Sequence, residues 1–178
     1  EQTGNLLIQD FTNNSWSGTN KSSRHSNTTI AGINNKYIES NISLSDNLSQ
    51  QQINNGWTST LGADIWSWNN KNQTTTMLQT ITGADGTVTT QVRNISTTSS
   101  NNYTNYKDSY TQGINSQSDY NIAVRFSFDE NSNSSSHQAT DLKNPTLTIE
   151  HSLLSVSQVS QVSTISENIV ELVSNFKE

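Results

Sequence analysis

The chain has 178 residues, a formal net charge of −6, 29% apolar and 13% charged residues, with uncharged polar residues filling the deficit and Asn alone supplying 25. Its 9 Lys and Arg are scattered singly, which excludes the basic face that nucleic acid requires. There is no cysteine, so disulfides and thiolate chemistry are excluded, and no apolar run approaches the roughly 18 residues of a membrane span.

So polar a composition borders on that of disordered chains. The apolar residues nevertheless gather in short alternating runs, and proline occurs once, at Pro145. The pattern is that of a folded domain with a thin core and many polar loops. An excess of Thr, Ser and Asn favours strands and turns over helices. The chain opens at Glu1 without Met, as expected of a processed N-terminus or an excised fragment.

Residues 5–11 (NLLIQDF) predict a first strand, and residues 12–29, too polar to bury, predict a long loop carrying Trp16 as the candidate exposed aromatic. A second strand is expected over residues 36–44. The third, residues 63–69 (ADIWSWN), sets Trp66 and Trp68 two apart, on one face of a strand. That pair is either an indole slab for the core or a platform for a ligand. The opposite face would carry only Ile65 and Ser67, so the alternation favours the indoles for the core.

Residues 74–82 and 87–95 flank GADG, a hairpin turn with Asp-Gly as its cue. Residues 120–128 place Ile122, Val124, Phe126 and Phe128 on one face, and residues 145–152 repeat the habit with Leu147 and Ile149. Residues 129–141 read as another polar loop. Many short strands divided by polar turns predict an all-β fold, an antiparallel jelly-roll-like sandwich over residues 1–152.

Residues 153–178 differ. Val162, Ile165, Ile169, Leu172 and Phe176 are spaced 3, 4, 3, 4, a heptad stripe of mostly β-branched residues. Two heptads do not hold an isolated helix in water. The segment is therefore expected to be a linker and short amphipathic helix whose stripe packs on the sandwich, on sister chains or on a continuation of the chain. The Ile and Val content favours a trimer over a dimer, and a filament is the other assembly expected.

Motifs for catalysis are lacking: no G-x-S-x-G, H-E-x-x-H or G-x-G-x-x-G occurs, and His25, His137 and His151 stand in no recognisable constellation. The expectation is a protein that is not an enzyme and needs no cofactor. Asp129, Glu130 and Asp141 bracket an Asn- and Ser-rich loop of the kind that can supply oxygen ligands to Ca²⁺, although Asp and Asn also simply initiate turns. For a sugar, Trp16, Trp66 and Trp68 supply flat faces, and Asn69 a hydroxyl-bonding amide.

The opening GNLLIQDFTNNSW (residues 4–16) resembles the first strand of carbohydrate-binding-module-like jelly rolls, and DLKNPTLTIEHS (residues 141–152) is similar to their last strand. Ile8-Gln9 stands where that pattern has Asn-Gly, and Thr12 where it has Glu. The middle of the chain resembles domains of surface or appendage proteins from marine phages and their bacterial hosts. The resemblance implies a sandwich displayed extracellularly, on a cell surface or on a virion. It implies no catalytic residue.

Two functions are thus expected. The first is a structural or adhesion subunit of an extracellular or virion fibre, assembled through the 162–176 stripe. The second is a carbohydrate-binding module that uses exposed Trp against a surface glycan.

Overall fold

The computed structural model describes residues 8–13, 16–18, 29–32, 36–67, 73–97, 102–130 and 140–151. Ten strands make up nearly all of it: β1 (Ile8–Asn13), β2 (Ser17–Gly18), β3 (Thr29–Gly32), β4 (Lys36–Ser43), β5 (Trp57–Ser67), β6 (Gln73–Gly83), β7 (Val88–Thr97), β8 (Thr104–Gln112), β9 (Tyr120–Glu130) and β10 (Thr140–His151). A 3₁₀ turn (Leu44–Asp46) and one short helix, α1 (Gln50–Asn55), lie between β4 and β5.

The strands form two five-stranded antiparallel sheets. One runs β1-β10-β5-β8, with β3 pairing β10 beyond β1; the other runs β2-β4-β9-β6-β7. Strands adjacent in space are mostly distant in sequence, as in a jelly-roll-like sandwich. Among the described residues no helix is long and apolar enough to cross a membrane.

The alternating runs explain the core. In β9, Ile122, Val124, Phe126 and Phe128 all point between the sheets and are at most 3% exposed. Met77 and Ile81 of β6, Ile38 of β4, Leu61 and Ile65 of β5, and Leu142, Leu147 and Ile149 of β10 meet them there. Each such side chain contributes very roughly 1.5–3 kcal/mol of burial free energy before entropy.

Leu142 and Leu147 are five apart, an odd spacing that would put them on opposite faces of a regular strand. A bulge between Lys143 and Thr146 resets the phase, so that both face inward. Asn144, at φ 52°, takes the left-handed conformation there, which Asn tolerates better than most residues.

The GADG turn joins β6 and β7 as expected: Gly86 adopts φ 85° and donates to Gly83 O, while Thr87 N donates to Asp85 Oδ1. Three expectations need correction. First, β5 begins at Trp57, well before residue 63, and its phase is set by Trp57 and Leu61, both fully buried. That phase carries Ile65 into the core and turns Trp66 outward, opposite to what the local Trp-Ser-Trp spacing favours.

Second, residues 12–29 are not one loop. Their ends belong to β1 and β3, and Ser17–Gly18 pairs with Glu39 and Ile38 of β4. Third, residues 129–141 are not one loop either, since 129–130 end β9 and 140–141 open β10. Two elements came without any expectation: β8 (TNYKDSYTQ), which has no aliphatic residue, and α1, which is only six residues long. The helix is announced by a capping box, in which Ser49 Oγ accepts from Gln52 N and Gln52 Oε1 accepts from Ser49 N. Residues 153–178, with the 162–176 stripe, lie outside the described residues.

Candidate functional site

The outward positions of β4, β9 and β6 build a groove of about 780 Å³ on the outer face of their sheet. Register makes the site. Glu39 lies opposite Arg125, which lies opposite Leu78; in the next rank Asn41 lies opposite Ala123, which lies opposite Thr80. Leu78 and Ala123 give an apolar floor, Glu39, Arg125, Asn41 and Thr80 a polar rim, and Trp16 and Ser17 close the groove at β2.

Arg125 is held on two sides. Its Nε and Nη2 both donate to Glu39 Oε2, at 3.1 and 2.6 Å. Its guanidinium carbon also lies 4.1 Å from the Tyr37 ring centroid, in cation–π stacking. Nη1 and Glu39 Oε1 take no part in that pair. With side chains 44% and 40% exposed, the pair adds at most about 1 kcal/mol to stability. Its interest is chemical: charged donors and a charged acceptor sit side by side with no net charge, over apolar carbon. Hydroxyl groups both donate and accept, so such a surface matches a polyol.

The sequence-predicted residues do not converge on one site. Trp16 is half-buried; its indole packs 5.7 Å from the core ring of Phe126, and its Nε1 is buried. Trp66 belongs to the other sheet, on its outer face, with its ring 5.8 Å from that of Tyr103. Trp68 and Asn69 lie outside the described residues. Asp129 and Glu130 end β9 while Asp141 lies in β10, strands of different sheets, and the side chains of all three lie outside the described residues. Among the described residues no three His, Asp or Glu side chains come together to hold a metal ion.

Tyr37, Glu39, Asn41, Thr80 and Arg125 went unremarked in the sequence because they occupy the outward positions of strands read for their inward ones. One signal was there: Arg125 is the only charged residue within the apolar alternation of residues 120–128.

No protein-family model matches the sequence, and no curated protein matches it. Among solved structures, the chain is similar to a Family 16 carbohydrate-binding module at 15% identity, with 67% of this chain and 73% of that one covered and a TM-score of 0.38. It is also similar to the CBM22-1 xylan-binding domain of Paenibacillus barcinonensis Xyn10C, at 9% identity, 80% and 85% coverage and a TM-score of 0.36. A third is a carbohydrate-binding module (CBM6cm-2) from Cellvibrio mixtus lichenase 5A in complex with cellotriose, at 8% identity, 81% and 90% coverage and a TM-score of 0.34. The likeness is one of general sandwich architecture and assigns no residue of this chain a role.

Proposed function

We propose that the chain is a non-catalytic carbohydrate-binding module whose glycan lies in the outer-face groove of the β4-β9-β6 sheet. The observation that carries this reading is the Arg125–Glu39 pair, stacked on Tyr37 beside the apolar floor of Leu78 and Ala123. A concave site with an apolar floor and a few fixed polar groups is the ordinary form of a ligand site. Here those groups stand on strands, which hold them more precisely than loops would. Among the described residues Glu39 is the one carboxylate that lines the groove, and it is already engaged by Arg125.

Electrophoresis of the full chain through native gels containing β-glucan, xylan, mannan or pectin tests the proposal. At least one polysaccharide should retard it, and Arg125→Ala should weaken that retention by about tenfold or more, a loss of about 1.4 kcal/mol. The melting temperature should hardly move. Retention unchanged in Arg125→Ala would end the groove reading.

The assembly role expected of the 162–176 stripe rests on its heptad spacing alone, and it would place this module on an extracellular or surface oligomer. Light scattering on Ile165→Asn/Ile169→Asn tests that role, and an unaltered molar mass would dismiss it.

A further inference from the structure

On the sheet opposite the groove, the outer face carries a second aromatic surface that the groove does not use. Trp66 is directed there by the phase of β5, and Tyr103, one residue before β8, stands beside it with ring centroids 5.8 Å apart and planes tilted by 52°. In the adjacent rank, Lys143 of β10, Asp64 of β5 and Asn105 of β8 lie side by side.

These polar groups are fixed. Lys143 Nζ sits 4.0 Å above the Tyr103 ring centroid. Asn105 Nδ2 donates to Asp64 Oδ1 at 2.8 Å, and Asn144 Nδ2, from the β10 bulge, donates to Asp64 Oδ2 at 3.0 Å. The bulge that keeps Leu147 in the core thus also supplies the amide that orients this carboxylate. The hydrogen bonds from Asn105 and Asn144, with a smaller contribution from the Lys143 charge, outweigh desolvation and hold the Asp64 carboxyl below its ordinary range. It is an ionised acceptor at neutral pH.

We infer that Trp66 and Tyr103, with Asp64 and Lys143, form a second saccharide platform on the outer face of the β10-β5-β8 sheet. A pyranose ring would lay its C–H face on the indole and direct its hydroxyls to the Asp64 carboxylate and the Lys143 ammonium. The amphipathic character of the surface selects this occupant. Two aromatic rings bordered at once by a carboxylate, an ammonium and two amides match one or two sugar rings. A stable protein partner would need roughly 800 Å² on each side with a core depleted of charge. The platform does not depend on the groove. Since the two lie on outer faces of opposite sheets, one module holding both would bridge two glycan chains, or two segments of one.

The bland alternative is that Trp66 and Tyr103 are a cross-strand pair serving the sheet alone. Retention of the full chain in the same four polysaccharide gels, with a thermal melt for each variant, decides between them. Trp66→Ala should weaken retention by about tenfold in at least one polysaccharide, Arg125→Ala should leave a residual retention, and the double variant should lose both. Asp64→Asn keeps the size while removing the charged acceptor and one of its two amide bonds; with its melt shown to stay cooperative, it should weaken retention several-fold even if Trp66→Ala unfolds. Full retention in Asp64→Asn, or in a folded Trp66→Ala, overturns the platform. If Arg125→Ala changes nothing while Trp66→Ala abolishes retention, the groove falls and the platform stands. A wild-type chain retarded by none of the four overturns both.

Discussion

Ser59 and Gln79 meet in the interior between the two sheets: the Ser59 hydroxyl donates to Gln79 Oε1 at 2.5 Å, and both residues are fully buried. Gln79 Nε2 in turn donates to the Asp108 carbonyl at 3.0 Å, and Gln91 Nε2 donates to the Asp108 carboxylate at 3.2 Å. A polar chain therefore runs from β5 through β6 to β8 and β7. In a core this thin it ties one sheet to the other where apolar side chains are lacking, and inside a low-dielectric interior such linked bonds strengthen one another.

Gln79→Ala would strand the Ser59 hydroxyl and leave a void. We expect it to cost about 2–4 kcal/mol in urea unfolding. Gln79→Leu should also destabilise, and adding Ser59→Ala should restore part of the loss, because an unmade bond costs more than an absent one. If the double variant is no more stable than Gln79→Leu, the two residues are not coupled.

Trp16 offers a contrast with Arg125. Although it closes one end of the groove, its ring lies against Phe126 and packs on the core. Trp16→Ala should therefore lower stability by about 1–3 kcal/mol, less than a fully buried Trp would lose. Differential scanning calorimetry reads this directly, and a melt superimposable on the wild type would return Trp16 to the surface as a free platform.

Among the described residues, Asp119 is one of three carboxyls, with Asp85 and Asp64, that contribute to the acid side of stability. Burial pushes its carboxyl up, but bonds from Ser43 Oγ, Ser45 N, Ser45 Oγ and Tyr120 N together outweigh burial and hold it below its ordinary value. At Asp85, bonds from Thr87 N, Gln117 and the Thr87 hydroxyl act in the same direction. A carboxyl whose folded-state pKa is depressed stabilises the fold fully above the unfolded value, near about 3.9, and that stability is lost as pH falls through the folded-state pKa. Melting temperature should thus be level from neutrality down to the carboxylate range and drop below it. Asp119→Asn should melt lower at neutral pH and show a shallower acid drop. Parallel curves for the two proteins would remove Asp119 from the account.

Much of the fold was legible in the amino-acid order, because burial on one face of a strand imposes a period of two. Residues 36–44, 74–82, 87–95 and 120–128 all emerged as strands within two residues of their bounds. The hairpin at Gly83–Gly86 followed from the conformational freedom of Gly86. Where the core face is polar or aromatic that signal fades: β8 buries parts of Tyr106, Asp108 and Tyr110 and no aliphatic side chain, so its alternation was invisible.

By itself, then, the sequence determined the class of fold, most of its antiparallel strands and the core faces of β9 and of the end of β10, since these depend on local periodicity and on turn chemistry. Only the tertiary structure decided the rest. The phase of β5 is set by Trp57 and Leu61 together with the strands that flank it, and it alone decided that Ile65 is core and Trp66 is surface. The groove is likewise a product of register: Glu39 and Arg125 are 86 residues apart and meet because β4 and β9 pair in that alignment. Pairing between distant strands is a long-range choice made by the sum of the buried contacts on the opposite face, and no single stretch of the chain encodes it.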